Sequence, residues 1–196
     1  MKNSLLAVFL GSLFLISCNQ KEMKISRSDY SVVTELHDIS PAYIDKDKDG
    51  NTVMNKNNLI GNTHWVLSVN RDISLAELSV FLKELTDKKH QKEGMHPDDK
   101  DIYFIYSDTL NQQNAFVKIP FKSIALEEPL VYELEEGVST LLIHSVETAK
   151  NAGNNKNETY LVEYKANMSA ETFINTLIEF EKQNISGNVG NVVHIY

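Results

Sequence analysis

Asp45-Lys46-Asp47-Lys48-Asp49-Gly50-Asn51 sets carboxylates at alternate positions and closes on a glycine and an asparagine. Alternate side chains can turn toward one ion, and glycine at the sixth position permits the sharp bend of a calcium-binding loop. Asp45, Asp47, Asp49 and Asn51 are therefore the calcium candidates. The rest of such a loop is missing. Lys56 stands where a bidentate Glu is required, Thr52 stands where an apolar residue is usual, and no amphipathic helix leads in from Ser40-Pro41. The competing reading is an acidic hairpin whose Asp49-Gly50 makes the turn. A second group, His90, His96, Asp98 and Asp99, lies in one polar stretch from Lys88 to Asp101. Imidazole and carboxylate both ligate zinc, but the spacing matches no compact ligand set. A polar helix-to-strand loop containing Gly94 and Pro97 accounts for it.

Nucleophilic catalysis finds no foothold. The chain lacks a Gly-x-Ser-x-Gly elbow, and its serines and histidines fall in no recognisable arrangement. Gly187 and Gly190 lack the spacing of a phosphate-cradling loop. Glu127-Glu128 and Glu133-Leu134-Glu135-Glu136 read as a solvated acidic edge that discourages sheet-to-sheet association. His144 and His194 fall in strand-like runs and read as core or edge histidines. No catalytic residue is assigned, and the reading leans away from an enzyme.

Cys18 is the only cysteine. It follows one positive charge at Lys2, an apolar run from Leu5 to Ile16 and the small residue Ser17, the pattern of a secretory signal. The run is too short to span a bilayer, which takes about 20 apolar residues. Leu15-Ile16-Ser17-Cys18 resembles the lipobox of bacterial lipoproteins. That resemblance implies cleavage before Cys18, a diacylglycerol on its thiol and an acylated amino group. Two or three acyl chains anchor stably where one binds marginally. Asn19 favours the outer membrane over inner-membrane retention. Gln20-Lys21-Glu22 resembles the surface-export stretch of Bacteroidetes lipoproteins, and Asp108-Thr109-Leu110 resembles the O-glycosylation sequon of that phylum, with Thr109 as acceptor.

Removing residues 1–17 leaves 179 with 18 basic and 27 acidic side chains, a net charge of −9. Such a chain is a poor ligand for nucleic acid or anionic headgroups. Residues 18–29 are polar and aperiodic and read as a tether; residues 30–196 read as one globular domain, with the first strand at Tyr30–Leu36. Ile39 to Thr63 reads as hairpin or loop with a short strand at Thr52–Met54.

Positioning any site falls to an internal repeat. His64–Val69 is a strand that runs through Asn70-Arg71-Asp72-Ile73 into Ser74, after which Leu75, Leu78, Leu82 and Leu85 recur at helical spacing. Thr159–Tyr164 runs through Lys165-Ala166-Asn167-Met168 into Ser169, and Ala170, Phe173, Leu177 and Phe180 occupy the same places. Ser74 and Ser169 are N-caps, and Glu77 completes a capping box in the first copy. The helices lead to strands at Ile102–Tyr106 and Val192–Tyr196. Ala115–Phe121, Leu130–Leu134 and Val138–Val146 are further strands, and Ala149–Glu158 is a loop. The expectation is an α+β fold of two strand–helix–strand units, about 64–106 and 159–196. Both helices would pack on one face of a mostly antiparallel or mixed sheet, or of two abutting sheets. The repeat is similar to the periplasmic domain of the ExbD/TolR biopolymer-transport proteins. That family anchors by a transmembrane helix bearing an acidic residue, which a lipid signal replaces here, so the resemblance implies shape and envelope binding without proton coupling.

The functional expectation is a non-catalytic envelope lipoprotein, facing periplasm or cell surface, that binds a protein or envelope component. An immunity protein whose acidic face meets a basic toxin is one form of it. The alternative is a surface carbohydrate-binding protein or hydrolase using loops 39–63 and 147–158.

Overall fold

The computed structural model describes residues 23–90, 100–128, 137–151 and 159–196. Cys18, His96, Asp98, Asp99 and the strand expected at Leu130–Leu134 lie outside them. The elements are β1 (Arg27–Ser28), β2 (Ile39–Lys46), β3 (Thr52–Asn55), β4 (His64–Val69), α1 (Leu75–His90), β5 (Ile102–Asp108), β6 (Gln113–Lys118), β7 (Ser123–Ala125), β8 (Val138–Ile143), α2 (Val146–Lys150), β9 (Thr159–Tyr164), α3 (Ala170–Lys182) and β10 (Val189–Ile195). No helix among the described residues is long and apolar enough to cross a membrane.

The fold is α+β, with two sheets. In the first, β3, β2, β4 and β5 lie side by side; β6 and β1 both pair with β5. Its core strands β2, β4 and β5 are parallel, and only the hairpins β2–β3 and β5–β6 are antiparallel. The second sheet, ordered β7-β10-β9-β8, is parallel throughout. Of the expected arrangements, the mixed sheet and the two abutting sheets are the ones found, the second sheet being parallel throughout. A helix that carries the chain back along a strand makes the next strand start at the same end, so strand–helix–strand units dictate parallel pairing.

Both helix stripes are buried as their spacing requires: Leu75, Leu78, Leu82 and Leu85 on α1, and Ala170, Phe173, Leu177 and Phe180 on α3. The caps form as expected. Ser74 Oγ accepts from the Glu77 N–H at 3.3 Å while Glu77 accepts from the Ser74 N–H at 3.2 Å, and Ser169 Oγ accepts from the Thr172 N–H at 3.1 Å. Each helix also reaches the other unit's sheet, α1 lying against β7 and β10 and α3 against β6 and β1. Phe173 sits at the meeting point, its ring 6.0 Å from Phe104 of the first sheet and 4.8 Å from Tyr164 of the second.

The two polar turns cross each other with matched hydrogen bonds. The Leu75 N–H donates to Met168 O and the Ala170 N–H to Ile73 O, both at 2.7 Å. The Ala76 N–H donates to Ala166 O at 2.9 Å and the Glu171 N–H to Arg71 O at 3.4 Å. Each bond maps onto its counterpart when both residue numbers move by 95. The units thus meet as an isologous dimer interface would, about a local pseudo-twofold between Ser74 and Ser169.

Residues 24–28, expected to be part of a tether, pack against the first sheet. Lys24 O accepts from the Arg71 N–H at 2.8 Å, Ser26 is fully buried, and β1 pairs with Ser107 and Asp108. Polar composition hid this because a short strand at a sheet margin needs backbone partners more than apolar side chains. Residues 30–36, expected as a strand, make one antiparallel bridge between Val33 and Phe116, and Tyr106 secures them by accepting from the Val32 N–H at 2.9 Å and donating to Tyr30 O at 3.0 Å.

Candidate functional site

The Asp45–Asn51 segment is the β2–β3 hairpin. Gly50 holds φ +85° and its N–H donates to Asp47 O at 3.2 Å, closing a three-residue turn across Asp47 and Asn51. Asp47 Oδ1 accepts from the N–H groups of Asp49 and Asn51 at 2.9 and 2.8 Å, and the Asn51 bond leads in holding this carboxyl below its usual pKa. Asp45 turns instead to Asn70, whose Nδ2 lies 2.6 Å from its Oδ1. The calcium candidates thus divide between a turn and the first crossing segment. Among the described residues no three His, Cys, Asp or Glu side chains converge as a metal site.

Behind this hairpin, Glu77 of α1 accepts from the Lys46 ammonium, from Thr52 Oγ1 at 2.8 Å and from Ser74 Oγ at 2.7 Å. Lys46 is the first cause of its pKa of about 2. Asp108 is the corresponding hub of the β5–β6 turn. Its fully buried carboxylate accepts from Ser31 Oγ, from Asn111 Nδ2 at 2.7 Å and from the Leu110 N–H at 2.9 Å. Ser31 heads the bonds that lower its pKa to about 2. Thr109 beside it is exposed, and its hydroxyl donates to Ser28 O at 3.0 Å.

His90, at the end of α1, borders a small recess of about 60 Å³ with Asp101, Lys118 and Lys122, and burial is the main cause lowering its pKa. His194 is buried on β10 with Nδ1 3.1 Å from Glu127 O, and His144 is exposed after β8. Glu163, beside His194 in the β9–β10 register, accepts from the Tyr196 hydroxyl at 2.6 Å, which raises the tyrosine to about 12. An open depression of about 410 Å³ is lined by Lys83, Glu127 and Val192 with residues 123–126. Nothing in it pairs a nucleophile with a base.

One surface was not singled out by sequence. On β2, Ala42 and Ile44 face the core, so Ile39, Pro41 and Tyr43 face outward, and the Asp45↔Val53 pairing adds Val53 to the same side. Ile39, Tyr43 and Val53 are each more than two-fifths exposed. The only carboxylate on this outward face of β2 and β3 is Asp45, already bonded to Asn70. Alternation along 39–45 was the available signal, masked by the acidic hairpin that follows.

No protein-family model matches the chain, and comparison with curated proteins and with solved structures gives no match.

Proposed function

We propose that this chain is a lipid-anchored protein of the bacterial outer membrane, held through Cys18, that binds another protein through the outward face of the β2–β3 hairpin. The observation that carries this is the apolar, nearly uncharged patch of Ile39, Tyr43 and Val53 on a chain of net charge −8. Apolar side chains gathered on one outward sheet face support a contact surface. The signal-like start and the Leu15-Ile16-Ser17-Cys18 pattern support the anchor. The engagement of Glu77, Asp108 and Asp47 in capping turns supports binding over catalysis.

A photo-crosslinking side chain placed at Tyr43 of the full-length protein in its own cells tests the reading. A discrete adduct with one envelope protein is expected from position 43, lost on Val53→Asp, with none from the exposed Val80 on α1. Equal labelling at both positions, or none at Tyr43, rejects it.

A further inference from the structure

We infer that the anchored protein is held against the bilayer on one side, with the crossing turns 70–74 and 165–169 toward the membrane and the strand-start loops away from it. This rests on the lipid anchor proposed above. Lys24, near the start of the described residues, is fixed to the first crossing turn: its carbonyl is bonded to the Arg71 N–H and its ammonium lies 4.0 Å from Asp72. Only residues 19–23 separate it from Cys18. Chain geometry limits the separation that five residues can bridge to about 20 Å.

The globule is larger than this reach. A domain of this length is roughly 40 Å across. In each sheet the strand that enters a crossing turn, β4 or β9, runs for six residues before it, about 20 Å at strand rise. Both strands point toward the crossing, so the loop before β4 (Gly61, Asn62) and the start of β9 (Thr159) stand about 20 Å from the turns. To lay those loops on the bilayer the link would have to be drawn fully straight, at a large entropic cost. The side carrying Lys24, Arg71, Asp72 and Glu171 therefore meets the headgroups. Arg71 Nη1 lies 3.8 Å from Glu171 and its Nε 3.9 Å from Asp72, so these two acidic side chains are each met by a cation on this side.

Cys18 being the only cysteine makes the test clean, because acylation blocks its thiol and an engineered cysteine is then the only one that labels. Asp72→Cys and Asn62→Cys are both exposed positions. Each full-length lipidated variant carries a fluorophore and sits in phosphatidylcholine vesicles containing a headgroup-nitroxide lipid. Quenching at position 72 is expected to exceed that at 62 several-fold, and ten Gly/Ser residues inserted after Glu22 should erase the difference. Equal quenching, the reverse order, or a difference that survives the insertion overturns the orientation. Protein that fails to float with the vesicles instead overturns the anchor, so the two failures are told apart.

Discussion

Glu77→Gln removes the charge at the hub joining the β2–β3 hairpin to α1 while keeping its shape. The carboxylate accepts from Lys46, Thr52 and Ser74, and its pKa falls from 4.5 to about 2. Taken at face value this shift corresponds to about 3 kcal/mol. The side chain is 39% exposed, however, so solvent screening cuts the contribution to about 1 kcal/mol. The folded-state pKa is depressed, so the sign is fixed: the stabilisation is complete above about pH 4.5 and is lost as pH falls toward 2. Urea unfolding of wild type and variant at pH 7 and pH 3 measures it. Comparing the two proteins at each pH cancels the other carboxylates, including Asp108. A gap of about 1 kcal/mol at pH 7 that narrows at pH 3 is expected. A gap that stays constant with pH, or none at pH 7, refutes the electrostatic account of the hub.

Tyr106→Phe leaves the Val32 N–H without its acceptor and should cost about 1–2 kcal/mol, with amide exchange accelerating at Val32 and Val33 before the rest of the sheet. Phe173→Ala opens the junction of both sheets and should cost about 3–5 kcal/mol; calorimetry should still show one transition, and two separated transitions would mean the units unfold independently. Gly50→Ala forces a side chain into the positive-φ turn at +85° and should cost about 1 kcal/mol in chemical denaturation. Tyr196 should ionise near pH 12 by ultraviolet titration and shift toward its ordinary value in Glu163→Gln, because the hydrogen bond to the carboxylate is the leading cause of its rise.

The parts legible in the sequence were those with a local physical cause. Leu75, Leu78, Leu82 and Leu85 bury because helical period alone puts them on one face, and Ser74 with Glu77 caps because three residues separate donor from acceptor. The β2–β3 hairpin was one of two readings of Ile39–Thr63, and Pro41, the outward Tyr43 and an acidic end kept Ile39–Lys46 from reading as a long strand, although alternate positions are buried. β1 and β7 run for two and three residues, too short for any period to register. Helix α2 was missed because Val146–Lys150 continues an apolar strand, and only the Ser145 hydroxyl, accepting from the Thr148 N–H at 3.3 Å, marks the change. The patch at Tyr43 and Val53 needs the β2–β3 register, which pattern alone cannot fix.

The crossing turns explain why the repeat sets the architecture without creating an anion site. A helix start ordinarily offers free N–H groups to a phosphate or carboxylate. Here the first two N–H groups of α1 donate to Met168 and Ala166, those of α3 donate to Ile73 and Arg71, and the third of each meets its own capping serine. Each unit thus satisfies the other's helix start, and neither could bury those groups alone without leaving them unpaired. The same reciprocity draws each helix onto the opposite sheet and merges both into one core around Phe173. Tied together at its centre, the core leaves the outward face of the first sheet to present side chains, which is where Ile39, Tyr43 and Val53 are found.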